Sequence, residues 1–350
     1  MSLTLLSLAT ANVTALLAAS FDYPVRSTKV LVVYDTDYGL TRILTTAYRQ
    51  ATPGAEFLDF AAYSRDELIA RFDALASGDL VVLIQSGSFR LNKFRIRLQL
   101  FNRGLRVIEH MHLHRNPEST WASHLRALNP DTRWYQEQAT RITGALQTAK
   151  QTTIVTCRGG DELRLVVDGP VEEPKLNIGD YRGFKNIGGT FPIGEVFTEA
   201  QDLASLSGSA YVYAFAGADF NLHFPEPFRV DIEAGLIVGW SKTAPAGFGK
   251  VVRMVKAQER PLIREIGFGL NRGIDPQSPL LDVTAFERVR GVHLSLGEKH
   301  STYKKPGIRA HKARYHIDLF LATERVEAGQ VNIFRNGRYL SADSAERFVA

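Results

Sequence analysis

Cysteine is almost missing: Cys157 stands alone in 350 residues. A single cysteine excludes a disulfide within the chain and a thiolate zinc site, and it fits a reducing, cytoplasmic setting. Charge is missing from the first 21 residues, so the apolar opening lacks the basic start of an export signal. Ser7, Thr10, Asn12 and Thr14 interrupt that opening too often for a bilayer span. The expectation is an opening helix packed on the first sheet, with no membrane partner. No low-complexity tract or internal repeat stands out, and the composition is that of a folded chain. The net charge of +5 is too small to argue for a nucleic-acid partner. Neither G-x-G-x-x-G nor G-x-x-x-x-G-K occurs, so the usual phosphate-binding loops are absent.

What is present falls into two patterns. Residues 29–34 (KVLVVY) and 79–85 (DLVVLIQ) are continuous apolar runs, the mark of strands buried on both faces. Between them lie a helical stretch over 39–50, closed by Pro53 and Gly54, and a short strand over 57–60. Ser64 followed by Glu67 is a capping-box pattern for a helix to about 76. Residues 89–101 read as helix, 106–112 as extended, and 122–148 as helical. Strands alternating with helices imply a wound parallel sheet. From 152 onward short apolar strands are punctuated by glycine and proline, as in antiparallel hairpins, with one longer helix over 247–260. The expected fold class is therefore α/β: a wound parallel-sheet domain over 1–150, then a β-rich α+β domain over 151–350.

Chemistry-bearing residues gather in four short segments of the second half. In Tyr315-His316-Ile317-Asp318-Leu319, His316 and Asp318 are two apart, so a strand would project both from one face. An imidazole beside a carboxylate suits a divalent metal, although an exposed strand edge gives the same tripeptide. Glu195 and Glu265 each sit beside glycine in apolar surroundings, where a carboxylate must be paired or bound to metal. Arg260 and Arg264 are available as purely structural partners. His293 lies in a fourth apolar segment, as a ligand or as a hydrogen-bonded core residue. Lys299, Lys304, Lys305, Arg309, His311, Lys312 and Arg314 form a basic run between the last two segments. Such a run is a solvated loop or a rim that attracts an anionic substrate. His110, His112 and His114 alternate beside Glu109, which suits either a metal site or a polar strand end.

These segments resemble signature stretches of the M29 family of metallo-aminopeptidases, the aminopeptidase T or thermophilic aminopeptidase group. Its N-x-P-x-GEVFT stretch is similar to 186–198, with Gly194-Glu195-Val196-Phe197-Thr198 identical and the preceding loop altered. Its GE-x-GIG-x-N stretch corresponds to 265–271, with Arg264 where glycine is usual. Its G-x-x-H-L-A-L-G stretch corresponds to 291–297, with His293 one position closer to the glycine and Ser295 in place of alanine. Its H-x-D-L stretch corresponds to 316–319. The resemblance covers about 152–321.

The resemblance implies an aminopeptidase-type hydrolase, cleaving an N-terminal peptide bond or a small amide with metal-activated water. It implies a homodimer and two divalent ions (zinc, cobalt or manganese) held by Glu195, Glu265, His293, His316 and Asp318. Around the reacting centre it places Glu195 and Glu265, with His300 where the family has tyrosine and Tyr303 three residues beyond. Two other outcomes stay open: an Fe(II) dioxygenase of the related dihydroxypyridine branch, where the position of Glu265 is a histidine, and a non-catalytic peptide-binding relative in a tailoring pathway.

Overall fold

The computed structural model describes residues 3–24, 28–91, 96–219, 221–275, 277–300 and 302–340. Internal contacts divide the chain into two units. The first is Met1–Thr132, Gly179–Gly194 and Arg272–Phe286; the second is Arg133–Ile178, Glu195–Asn271 and Glu287–Ala350. This differs from a single boundary near 150. The helix Thr132–Thr148 falls almost wholly in the second unit, and two later segments return to the first.

The first unit is built on a five-stranded parallel sheet in the order Glu56–Asp59, Val30–Tyr34, Leu80–Ile84, Arg106–His110, Gly188–Thr190. The apolar runs became its central strands because every residue of Leu80–Ile84 is buried, as a strand covered on both faces requires. Residues 188–190, expected to be loop, form the fifth strand. A Cβ at Gly188 would overlap the Val107 carbonyl, and its φ is 108°, so only glycine lets the chain lie there. The capping box forms in both halves: Ser64 Oγ accepts from the Glu67 amide at 3.3 Å, and Glu67 Oε2 accepts from the Ser64 amide at 2.8 Å.

Of the helix expected over 89–101, residues 92–95 lie outside the described residues, and Ile96–Asn102 is helical. The helical stretch after 122 is two helices, Trp121–Ala127 and Thr132–Thr148, because Pro130 cannot supply the amide a continuous helix needs.

The opening helix Leu3–Phe21 packs mainly on the helices Gly39–Ala51 and Trp121–Ala127, burying Ala9, Val13, Leu16, Leu17 and Phe21, and Arg106 of the sheet donates to its Phe21 carbonyl at 2.8 Å. Two of the polar residues that break its apolar run bond those neighbouring helices. Thr10 Oγ1 donates to Gln50 Oε1, and Asn12 Nδ2 donates to the Leu125 carbonyl, both at 2.7 Å.

The three alternating histidines do not share a face, because the strand stops at His110. His110 turns inward, its Nε2 2.9 Å from the Tyr48 hydroxyl, while His112 takes a left-handed backbone and His114 Nδ1 bonds the Ser86 carbonyl. Burial pushes His110 down to about 3, helped by the neighbouring His124, which burial pushes down to about 4. Both lie below the ordinary value of 6.5, so the unfolded chain takes up two protons that the folded one refuses. Their contribution is complete above pH 6.5 and falls as pH drops, by about 1.4 kcal/mol per unit for each histidine. Denaturant unfolding at pH 7 and pH 5 is expected to show this slope, and His124→Leu to remove about half of it; an unchanged slope would assign the acid sensitivity elsewhere.

The second unit is a 14-stranded antiparallel sheet. Four neighbouring strands of it carry the chemistry, in the order Ile317–Leu321, Gly291–Leu296, Ile263–Gly269, Glu195–Thr198. They are almost entirely buried, so their side chains are held on a stiff platform. The helix Ala246–Lys256 stands where a helix over 247–260 was expected.

Candidate metal centre

Strand register brings the candidate ligands together. Glu265 faces Ser295, which faces Asp318, giving one row across three strands. The next row is Phe197, Gly267, His293 and Phe320, and the next begins with Glu195 opposite Gly269. Residues two apart share a face, so all these side chains rise from one side of the sheet. His316 immediately precedes its strand and stays beside Asp318, its Nε2 3.4 Å from Asp318 Oδ1.

The donor atoms are close enough to share cations. His293 Nε2 lies 3.2 Å from Glu195 Oε1 and 3.4 Å from Glu265 Oε1. His316 Nε2 is 3.9 Å from Glu265 Oε1. Three triads have ligand atoms within 4.8 Å of one another: Glu195, Glu265 and His293; Glu265, His316 and Asp318; Glu287, His293 and Asp318. All five expected ligands are present in these triads.

Two observations show that the set fits divalent ions. Glu195 Oε1 and His293 Nε2 are buried, face each other, and have no hydrogen-bond partner. Orphaned buried atoms of this kind are costly unless something occupies the space between them. Charge points the same way, since the Glu195, Glu265 and Asp318 carboxylates converge beside Glu287, and among the described residues Arg288 is the one arginine or lysine ion-paired with any of them. Burial alone would raise the Glu265 carboxyl, yet the adjacent imidazoles of His293, His300 and His316 hold it well below the usual range. Burial would likewise lower His293, but Glu195 and Glu265 hold it well above its ordinary value. At His316, Asp318 and Glu265 again outweigh burial and raise the imidazole. A field that draws protons onto imidazoles in this way also favours a cation.

Three residues of the centre were not anticipated. Arg288 Nη1 bonds Glu195 Oε2 at 2.7 Å and Glu287 Oε1 at 2.6 Å, so Glu195 has a structural arginine, but it is neither Arg260 nor Arg264. Burial, reinforced by Glu195 and Asp318, pushes Glu287 up to about 8 against the pull of Arg288. Ser295 Oγ donates to Asp318 Oδ1 at 2.5 Å and lies 3.1 Å from His316 Nε2, orienting both.

The structure shares the fold of AmpT from Thermus thermophilus. The match covers 95% of this chain and 99% of that one, with a TM-score of 0.56 and 13% sequence identity. At that identity the likeness establishes an M29-like fold and no finer grouping. No protein-family model matches the chain, and neither does any curated protein.

The remaining expected residues take different places. His300 reaches the centre, its Nε2 3.0 Å from Glu265 Oε2. The Tyr303 hydroxyl is committed to the carbonyls of Glu173 at 2.6 Å and Phe197 at 3.3 Å, and its ring packs on His300. Arg264 pairs with Glu199 and Arg260 with Glu298. Within the basic run, Lys305 is bound to Glu172 and the carbonyls of Ala200 and Gln201. Arg309 and Lys312 line an open cleft of about 760 Å³ with Lys256, Arg260, Glu259 and Glu298.

Proposed function

We propose that this protein is a metal-dependent hydrolase of the aminopeptidase type, cleaving an N-terminal peptide bond or a small amide. The observation that carries the reading is the convergence of Glu195, Glu265, His293, His316 and Asp318 on one sheet face, with Glu195 Oε1 and His293 Nε2 buried and unpartnered. The fold shared with AmpT supports it. Bound divalent ions would supply Lewis acidity toward the scissile carbonyl and acidify a water.

The chain's own part is to hold and orient. Glu265, common to two triads, would be shared between two donor groups, one completed by Glu195 and His293 and the other by His316 and Asp318. His316, whose side chain is 32% exposed while those of the other four ligands are buried, marks the side from which substrate arrives. The exposed cations Arg309 and Lys312 suit a substrate that carries an anionic group.

Metal analysis and a screen of aminoacyl amides test the reading together. The expected result is two equivalents of zinc, cobalt or manganese and release of the N-terminal residue. Both are lost in Glu195→Ala and in His316→Ala. One equivalent of iron with ring-opening activity would replace the hydrolase by an oxygenase, and no bound metal would leave a binding protein.

A further inference from the structure

The outer oxygens of the two ligand glutamates are both occupied. Glu195 Oε2 accepts from Arg288 Nη1 at 2.7 Å, and Glu265 Oε2 accepts from His300 Nε2 at 3.0 Å. The inner oxygens face the imidazoles: Glu195 Oε1 lies 3.2 Å from His293 Nε2, while Glu265 Oε1 lies 3.4 Å from the same nitrogen and 3.9 Å from His316 Nε2. Each carboxylate is thus divided between an outer donor and the space where the triads meet.

The donors are fixed by their own surroundings. His300 Nδ1 accepts from the backbone amides of Thr302 at 3.1 Å and Tyr303 at 3.3 Å. An imidazole that accepts at Nδ1 carries its proton on Nε2, the atom turned to Glu265, and has no lone pair left there for a cation. Phe197 and Tyr303 flank the ring, with centroids at 5.9 and 5.1 Å. Arg288 is always charged, and Glu287 Oε1 holds the same Nη1 from the other side at 2.6 Å.

We infer that Arg288 and His300 are positioning residues, each holding the outer oxygen of a ligand glutamate so that Glu195 and Glu265 offer only Oε1 to divalent ions. His300 is then an outer-shell donor and not a sixth ligand. The inference rests on the metal-dependent reading above and adds the way the site limits coordination. Without the outer donor the carboxylate is free to turn and bind through both oxygens, which alters the ion's coordination number and weakens the designed geometry. Losing such a partner typically costs about 10–100-fold in metal affinity.

The test compares wild type, Arg288→Met, Arg288→Lys, His300→Phe and His300→Tyr. Zinc affinity is read by competition with a chromophoric chelator, and coordination by the absorption spectrum of the cobalt-loaded protein. Wild type is expected to bind two ions. Arg288→Met and His300→Phe should still bind but about 10–100-fold more weakly, with a shifted cobalt spectrum. His300→Tyr, whose hydroxyl can donate to Glu265, should recover much of the affinity, and Arg288→Lys should fall between. Thermal unfolding of the metal-free proteins separates misfolding from lost coordination. His300→Phe, which keeps a flat ring between Phe197 and Tyr303, carries the test should Arg288→Met fail to fold. Wild-type affinity and spectrum in all four variants would overturn this inference alone. No zinc bound by wild type would overturn the metal-dependent reading and this inference with it.

Discussion

Gly267→Ala is expected to cost the centre a metal ion without removing any ligand side chain. Gly267 lies directly opposite His293 in the strand register, and the imidazole leans across it. A Cβ there would overlap three ring atoms of His293 at once. The strands cannot separate to make room, since Ile263–Gly269 is paired on both edges and fully buried. The ring must therefore leave its place, and with it goes the nitrogen facing Glu195 and Glu265. On the proposed metal-dependent reading, metal content should fall, and the proposed hydrolase activity should drop by more than about 100-fold, the upper end of what losing even an outer-shell partner costs. Gly247→Ala is the control. Its Cβ would meet only Phe215 at 3.8 Å in a helix, so it should leave both readouts intact and slightly stabilise the fold. Full metal occupancy in Gly267→Ala would show that His293 is not a ligand.

The same face-sharing logic marks how far the sequence could be read. His316 and Asp318 were legible because residues two apart at the start of one strand need only the period-two rule, although His316 itself immediately precedes the strand. That rule applied to His293 also reaches Ser295, which sits beside Asp318 and was legible only as a serine in place of alanine. The joining of Glu265 to His293, by contrast, depends on the register between strands separated by a helix and loops, which no local pattern carries. Glu287 and Arg288 had a weak signal, an adjacent acid and base between Phe286 and Val289 in otherwise apolar surroundings. Burial of such a pair is costly without further partners, and their partner is Glu195. The five-stranded sheet was legible in its four apolar strands and illegible in the fifth, where Gly188-Gly189-Thr190 has the composition of a loop. The two segments that return to the first unit, Gly179–Gly194 and Arg272–Phe286, were likewise invisible, because composition along the chain records neighbours in sequence and not in space.

Arg264→Met is expected to be among the most destabilising single changes in the second unit. Arg264 is the extra residue of a β-bulge, since Ile263 and Glu265 face consecutive residues Leu296 and Ser295. It is buried, as is Glu199, and its Nε bonds Glu199 Oε2 at 2.7 Å. Its two terminal nitrogens also bond the carbonyls of Glu298 at 2.8 Å and Tyr303 at 2.9 Å. Removing one partner of a buried pair leaves an uncompensated charge and costs about 3–5 kcal/mol. That corresponds to a fall in melting temperature of roughly 6–20 °C. Lys305 Nζ, 3.5 Å from Glu199 Oε1, moderates the loss without cancelling it. Adding Glu199→Leu should restore part of the stability, because the stranded carboxylate is then gone, while the two carbonyls of the loop remain unpaired. Equal stability of the single and double variants would assign the effect to packing and not to charge. The double variant also isolates what the guanidinium does for the site. The carbonyls it holds bracket His300, so a charge-relieved protein without Arg264 should keep its fold and still present His300 less firmly to Glu265.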